Sequence, residues 1–259
     1  MKSSWALANS WHMLDECTGG TVSPVQAISR VESIPGWMRP EDADKLAELA
    51  STTPGPILEI GTFHGQSAVL IALALQDAGS DTGVYTIEVD TDAIQAAQAE
   101  ASAHGVGERI VFVRGTSEAF AHAYPWLRPA MTFLDGDRRR AGVEADLAVL
   151  QRIVPAGGVL LFGDFDDPLN DDPGCAEIEV RPTVQASWVT RECEFGGTFG
   201  ACGLYTRLTD PPHVPEPTMV DLLPLASAHD RYLHRVRYPA GRAWKRMRGA
   251  DRNGPEPPQ

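Results

Sequence analysis

The 259-residue sequence predicts an α/β fold, a doubly wound and mostly parallel sheet, and three observations lead there. From residue 57 onward, short apolar runs alternate with longer Ala-rich amphipathic stretches, the pattern of repeated βα units. The first of those runs turns through two glycines into a helix. Acidic residues close several of the runs, and in a parallel sheet the carboxyl ends of the strands share one edge, where ligands bind.

The elements follow in order. Residues 22–31 and 41–50 are helical by pattern, the second opened by Pro40 and Glu41, and both are expected to cap the top of the site. Strands are expected at 57–60, 84–88, 110–113, 131–134 and 159–162, with helices at 66–76, 91–104, 117–123 and 142–153 between them. Two later runs, 187–191 and 200–206, read as an antiparallel strand pair at the sheet edge. Pro211, Pro212, Pro215 and Pro217 mark a linker; 221–248 reads as a helix in two pieces broken at Pro239, and the chain from Asn253 reads as disordered. The chain thus divides into N-terminal cap helices (1–50), a central domain (51–208) and a basic helical tail (209–259).

Bulk properties narrow the function. An apolar fraction of 43% supports a sizeable core, yet no run of 18 apolar residues exists to cross a membrane. The apolar stretch at residues 5–8 is too short for an export signal, so a cytoplasmic location is expected. Cys17, Cys175, Cys193 and Cys202 form no CxxC pair and read as reduced structural thiols. A net charge of −13 opposes phosphate backbones, so nucleic acid is not an expected partner. One basic patch departs from this: eight Lys/Arg residues against two acids between Asp230 and Arg252. Two readings stand for it, a solvated helix packed on an acidic body or a surface for an anionic partner, and a homo-oligomer is a further expectation.

The most informative stretch is Glu59-Ile60-Gly61-Thr62-Phe63-His64-Gly65-Gln66-Ser67. Glycine is needed where backbone passes close to a ligand or takes a positive φ, and Gly61 and Gly65 bracket the turn. Their G-x-x-x-G spacing lacks the extra glycine that lets a pyrophosphate approach in G-x-G-x-x-G loops, which points away from a dinucleotide. The second strand ends at Glu88, 27 residues beyond Gly61, where a carboxylate can accept both hydroxyls of a ribose. Asp90 reads as the cap of the helix that follows.

These residues, with Phe133-Leu134-Asp135-Gly136-Asp137, resemble the class I methyltransferases of the catechol and caffeoyl-CoA O-methyltransferase type and the bacterial group that includes macrolide-sugar O-methyltransferases. The resemblance covers roughly residues 34–208 and implies a seven-stranded Rossmann-like sheet carrying S-adenosylmethionine across the ends of its first strands. It implies that the cofactor meets Glu59, Gly61, Thr62, Phe63, Gly65 and Ser67 in the loop. Further contacts are implied at Glu88, Val89, Ser117 and Asp135. The expected acceptor is a hydroxyl of a small molecule or saccharide, a sugar hydroxyl ahead of a catechol.

In metal-dependent relatives the acid ending strand four and a pair ending strand five hold the ion, which implies Mg²⁺ on Asp135 and Asp164. Gly163 stands where the other member of that pair would be, so the third ligand would come from Asp166, Asp167 or Asp137, with Asp166 ranked first. The alternative is an Asp-rich loop serving only as turn and helix cap. Relatives place a lysine or histidine base just after strand four; here that position is Arg138, which stays protonated and cannot accept a proton. Asp137 ranks first as base, then His64, then water acting on a metal-bound oxygen. The run Arg138 to Arg140 suits an anionic or polyhydroxylated acceptor, or else a solvated helix start. Two other functions stay open: a metal-independent methyltransferase on an N or O acceptor, and a non-catalytic binding protein.

Overall fold

A computed structural model describes residues 26–211. Expectations for the N-terminal residues, for the Pro-rich linker beyond 211 and for the basic tail lie outside the described residues.

A short helix α1 (Gln26–Ser29) and α2 (Pro40–Thr52) precede the sheet. Pro40 sits in the first turn of α2, where a missing N–H costs nothing, and the Asp42 side chain accepts from the Arg39 N–H. The strands and helices then alternate: β1 (Ile57–Ile60), α3 (Gln66–Asp77), β2 (Val84–Glu88), α4 (Thr91–Ala103), β3 (Ile110–Arg114) and α5 (Ser117–Ala123). They continue as β4 (Met131–Leu134), α6 (Arg140–Ile153), β5 (Val159–Phe162), α7 (Val180–Ala186), α8 (Val189–Glu192), β6 (Cys193–Phe199) and β7 (Cys202–Arg207). Asp90 caps α4 by accepting from the Asp92 and Ala93 N–H groups.

The seven strands order as β3-β2-β1-β4-β5-β7-β6, with β1 to β5 parallel and β7 antiparallel to both neighbours. The strand order reverses between β1 and β4, and a crevice forms at such a point over the carboxyl ends. β1 and β4 are buried along their whole length, which is why they read as unbroken apolar runs. Alternating side chains feed two cores. Ile57, Phe133 and Leu161 face α2 and α3, and Leu58, Leu134 and Phe162 face α5, α6 and α7.

The antiparallel edge pair is present, but its first strand lies later than expected. Residues 189–192 are helical rather than extended. The Trp188 indole N–H donates to the Leu147 carbonyl at 2.9 Å and Val189 is buried, so an apolar, β-branched stretch packs as a helix against α6. β6 instead runs through Gly196 and Gly197, with its register shifted between Phe195 and Gly197. Arg207, at the end of β7, is buried: its guanidinium donates to the Gln151 and Val154 carbonyls at 2.7 and 2.8 Å and to Glu192 at 2.9 Å. It thereby closes the carboxyl end of α6.

Candidate active site

The hydrogen-bond ladder of the sheet continues one residue past the strand ends. The Gly61 N–H donates to Ile87, the Asp135 N–H to Ile60 and the Gly163 N–H to Leu134, each at 2.9 Å. Gly61, Asp135 and Gly163 therefore stand side by side. A Cβ on Gly61 would lie 2.3 Å from the Asp135 carbonyl oxygen, and one on Gly163 would lie 2.6 Å from Asp135 Oδ1. Asp135 is walled by two residues that have no side chain.

Solvent reaches Asp135, yet protein packs deeply around it, a combination that describes the floor of an open recess. Burial first, and then the nearby Asp164 carboxylate, push the Asp135 carboxyl well above the usual carboxylate range, against the pull of Arg138.

The first loop forms one wall. Gly61 has φ 98° and Gly65 φ 87°. Gly65 answers to packing as well: a Cβ there would lie 2.9 Å from that of Ala97 on α4. Phe63, between them, holds φ 46°, a conformation unfavourable for a bulky residue. Its N–H donates to Glu88 Oε2 at 2.9 Å, while Glu88 Oε1 accepts from the Val89 and Asp90 N–H groups at 2.7 and 3.0 Å. Three backbone donors thus hold the Glu88 carboxylate at the end of β2, filling both lone pairs of Oε1 and one of Oε2 and leaving one on Oε2 for a further donor. The Phe63 ring stacks on His64 at 4.0 Å and lies against Trp37 at 4.9 Å.

Glu59 lies beneath the loop, fully buried on the α3 face of the sheet. Oε2 accepts the Thr86 hydroxyl, which also meets the Thr62 hydroxyl, and Oε1 is a buried oxygen with no hydrogen-bond partner. Burial raises its pKa to about 7, against the Ser67 and Thr86 hydroxyls beside it. On the far side, the buried Ser117 hydroxyl donates to Asp146 Oδ1 at 2.6 Å; burial raises Asp146 to about 6. Sequence reasoning missed Asp146, whose place in α6 gives no local signal.

It also missed Gln66 and Asp42. The Gln66 amide donates to the Val31 and Ile34 carbonyls at 3.2 and 3.1 Å and accepts from the Met38 N–H at 3.3 Å, tying the cap to the first turn of α3. Asp42 Oδ1 accepts from the Ala201 N–H at 2.7 Å, tying the start of α2 to the β6–β7 turn.

The acids beyond Asp135 are each engaged. Arg139 donates to Asp137 through its backbone N–H, Nε and Nη2 at 3.1, 2.7 and 2.5 Å. Burial pushes the Asp137 carboxyl up, but those bonds outweigh it and leave it below its ordinary range. The residue ranked first as base is therefore a weaker proton acceptor than an ordinary carboxylate, whereas Asp135 is a stronger one. Asp164 pairs with Arg138 at 3.0 Å and Asp166 with Arg181 at 2.8 Å. Arg140 forks onto Glu179 at 3.2 and 3.0 Å. The arginine run is thus turned inward onto carboxylates.

Asp167 caps the 3-10 turn Pro168–Asp171, and Asp171 pairs with Arg181, so part of the Asp-rich loop does serve turn and cap. Among the described residues no three His, Cys, Asp or Glu side chains converge to hold a metal ion. The expected set Asp135, Asp164 and Asp166 is divided because Asp166 faces Arg181 rather than Asp135.

A seven-stranded sheet of this order, with a glycine loop, an acid at the end of β2 and an acid at the end of β4, defines a class I methyltransferase fold. Residues 58–165 match the family described as a methyltransferase domain. No curated protein matches the sequence. The solved structures that resemble it in fold include the following three. The cofactor-bound protein Rv0187 from MTB is 17% identical with TM-score 0.59, covering 71% of this chain and 89% of that one. An O-methyltransferase from Bacillus cereus in complex with SAH is 16% identical with TM-score 0.56, covering 73% and 92%. The O-methyltransferase TomG from Streptomyces achromogenes, involved in tomaymycin synthesis and in complex with SAM, is 19% identical with TM-score 0.54, covering 75% and 91%. No helix of the described residues is long and apolar enough to cross a membrane.

Proposed function

We propose that this chain is an S-adenosylmethionine-dependent O-methyltransferase acting on a hydroxyl of a small molecule or saccharide, a sugar hydroxyl ahead of a catechol. One observation supports the reading above all: a carboxylate fixed by three backbone N–H groups at the end of β2 stands beside a loop whose Gly61 lets its backbone pass close against Asp135. Glu88 Oε2 has a lone pair left for a ribose hydroxyl, and the buried Glu59 Oε1 below the loop, which has no hydrogen-bond partner, can accept from an ammonium group. Val89 and Ser117 flank the adenine side in this reading.

The bound sulfonium supplies an electrophilic methyl group. The chain's part is to place an acceptor oxygen in line with it over the Asp135 floor and to take the proton that leaves as the O–CH₃ bond forms. Asp135 is the acceptor of that proton, its affinity raised by burial and by Asp164. Asp137 is excluded by its three bonds to Arg139. His64 stacks on Phe63 and belongs to the loop wall. No step passes through magnesium, because Asp164 and Asp166, two of the three acids that would hold it, are paired with arginines.

Calorimetry with S-adenosylhomocysteine tests the reading. Micromolar binding is expected, with Glu88→Ala weakening it about tenfold to a hundredfold, the worth of one charge-assisted hydrogen bond. Tight binding of a nicotinamide dinucleotide with no heat from the thioether overturns it.

A further inference from the structure

We propose that Arg138 is the built-in counter-cation of this site, compensating the Asp135 and Asp164 carboxylates in place of a divalent metal ion, so that cofactor binding and methyl transfer need no metal. Four features of the geometry lead there. Arg138 Nη1 lies 3.0 Å from Asp164 Oδ2. Its backbone is anchored, since its carbonyl accepts the Glu179 N–H at 2.9 Å. Asp164 is presented to it by a fixed loop: Asp164 holds φ 51°, and the Asn170 amide donates to the Asp164 carbonyl at 2.8 Å and the Asp167 carbonyl at 2.9 Å. Finally, Gly163 brings no ligand atom of its own, and its bare Cα lets the Asp135 side chain pack against it, since a Cβ there would lie 2.6 Å from Asp135 Oδ1.

The charges agree with this placement. The field of three carboxylates, Asp164, Asp135 and Asp167, outweighs the burial of Arg138 and holds its proton more firmly still. A guanidinium keeps its charge at every working pH and spends few of its five N–H donors on Asp164. A dication entering between Asp135 and Asp164 would face that fixed positive charge and would have to break the 3.0 Å pair. Because Arg138 and Asp164 are partly open to solvent, their pairing contributes little to fold stability, and its consequence lies in the charge of the site.

The inference takes its meaning from the methyl-transfer reading, and one experiment separates the two. The purified full chain is titrated with Mn²⁺ while the free ion's paramagnetic resonance signal is followed. The affinity for S-adenosylhomocysteine is measured alongside by calorimetry, with and without EDTA. Wild type is expected to leave millimolar Mn²⁺ free and to bind the thioether equally, within about twofold, in both buffers. Arg138→Gln and Arg138→Met, which retain much of the side chain's bulk, are expected to take up about one Mn²⁺ per chain, and adding Asp164→Asn removes that uptake. Arg138→Lys, which keeps the charge, behaves as wild type. Stoichiometric Mn²⁺ uptake by wild type, or none by the folded Gln and Met variants, overturns the proposal; should neither variant fold, the wild-type titration decides. Failure of folded wild type to bind the thioether defeats the methyl-transfer reading instead and leaves the Mn²⁺ titrations to judge Arg138.

Discussion

The Thr86 hydroxyl donates to the Glu59 carboxylate at 2.5 Å and also meets the Thr62 hydroxyl, so β1, β2 and the first loop share one buried hydrogen-bond chain. Burial raises Glu59 from 4.5 to about 7, so the folded chain keeps a proton that the unfolded chain loses across that window. Stability therefore falls as pH rises from about 4.5 to 7 and levels off above, with a total effect of about 3 kcal/mol. Glu59→Gln keeps the shape, cannot ionise, and is expected to lose most of this slope. Urea unfolding of both proteins at several pH values across the window checks it; identical slopes would assign the pH dependence elsewhere.

Gly61 is the second point of sensitivity. With φ 98° and a Cβ position 2.3 Å from the Asp135 carbonyl oxygen, Gly61→Ala must shift either the loop or the end of β4. Backbone strain of this kind costs about 1–3 kcal/mol, and the shift falls on the residues that frame Asp135. Binding of S-adenosylhomocysteine should be lost while the far-UV circular dichroism of the sheet persists. Gly79→Ala is the control: it has φ 64° but nothing within 4 Å, so it carries backbone strain without the collision and should leave binding intact.

The parallel part of the sheet was legible because its central strands β1, β4 and β5 are covered on both faces and read as continuous apolar segments, and Asp90 announces α4. The edge pair was misplaced because β6 carries Gly196-Gly197 and polar residues, while Trp188-Val189 imitates a strand. In the site, residue types at strand ends were readable but their partners were not. Nothing local says that Arg139 folds back onto Asp137 or that Asp166 turns to an arginine fifteen positions away. Arg138 and Gly163 were visible as departures from the resemblance. That Gly163 borders Asp135 and that Asp164 meets Arg138 follows only from the β4–β5 pairing.

Gln66 links the cap to the loop, and Gly36 makes room for it: a Cβ on Gly36 would sit 2.1 Å from Gln66 Oε1. Gln66→Ala leaves the Val31 and Ile34 carbonyls and the Met38 N–H without their partner, a cost of about 1–3 kcal/mol per buried group that stays dry. The loss should be local. Limited proteolysis is expected to cut between residues 30 and 39 sooner than in wild type, with the central sheet equally resistant. Uniform acceleration of cutting across the chain would show that Gln66 supports the whole domain instead.

Arg207 should give the largest stability effect of any single charged residue named here. It is 1% exposed, donates to two carbonyls at the end of α6, pairs with Glu192 at 2.9 Å, and lies over the Trp188 ring at 4.6 Å. Arg207→Met preserves the stacking volume but strips the helix end of its donors and leaves Glu192 uncompensated beside a dry core. Removing one partner of a buried pair costs about 3–5 kcal/mol, a third or more of the stability of an ordinary domain. Arg207→Lys keeps the charge without the planar fork and should fall between the two, because one ammonium cannot serve the α6 carbonyls and Glu192 in the same geometry. Urea denaturation ranks the three proteins. A Met variant within about 1 kcal/mol of wild type would mean that water replaces the guanidinium at the end of α6, and that the edge strand is held by its sheet bonds alone.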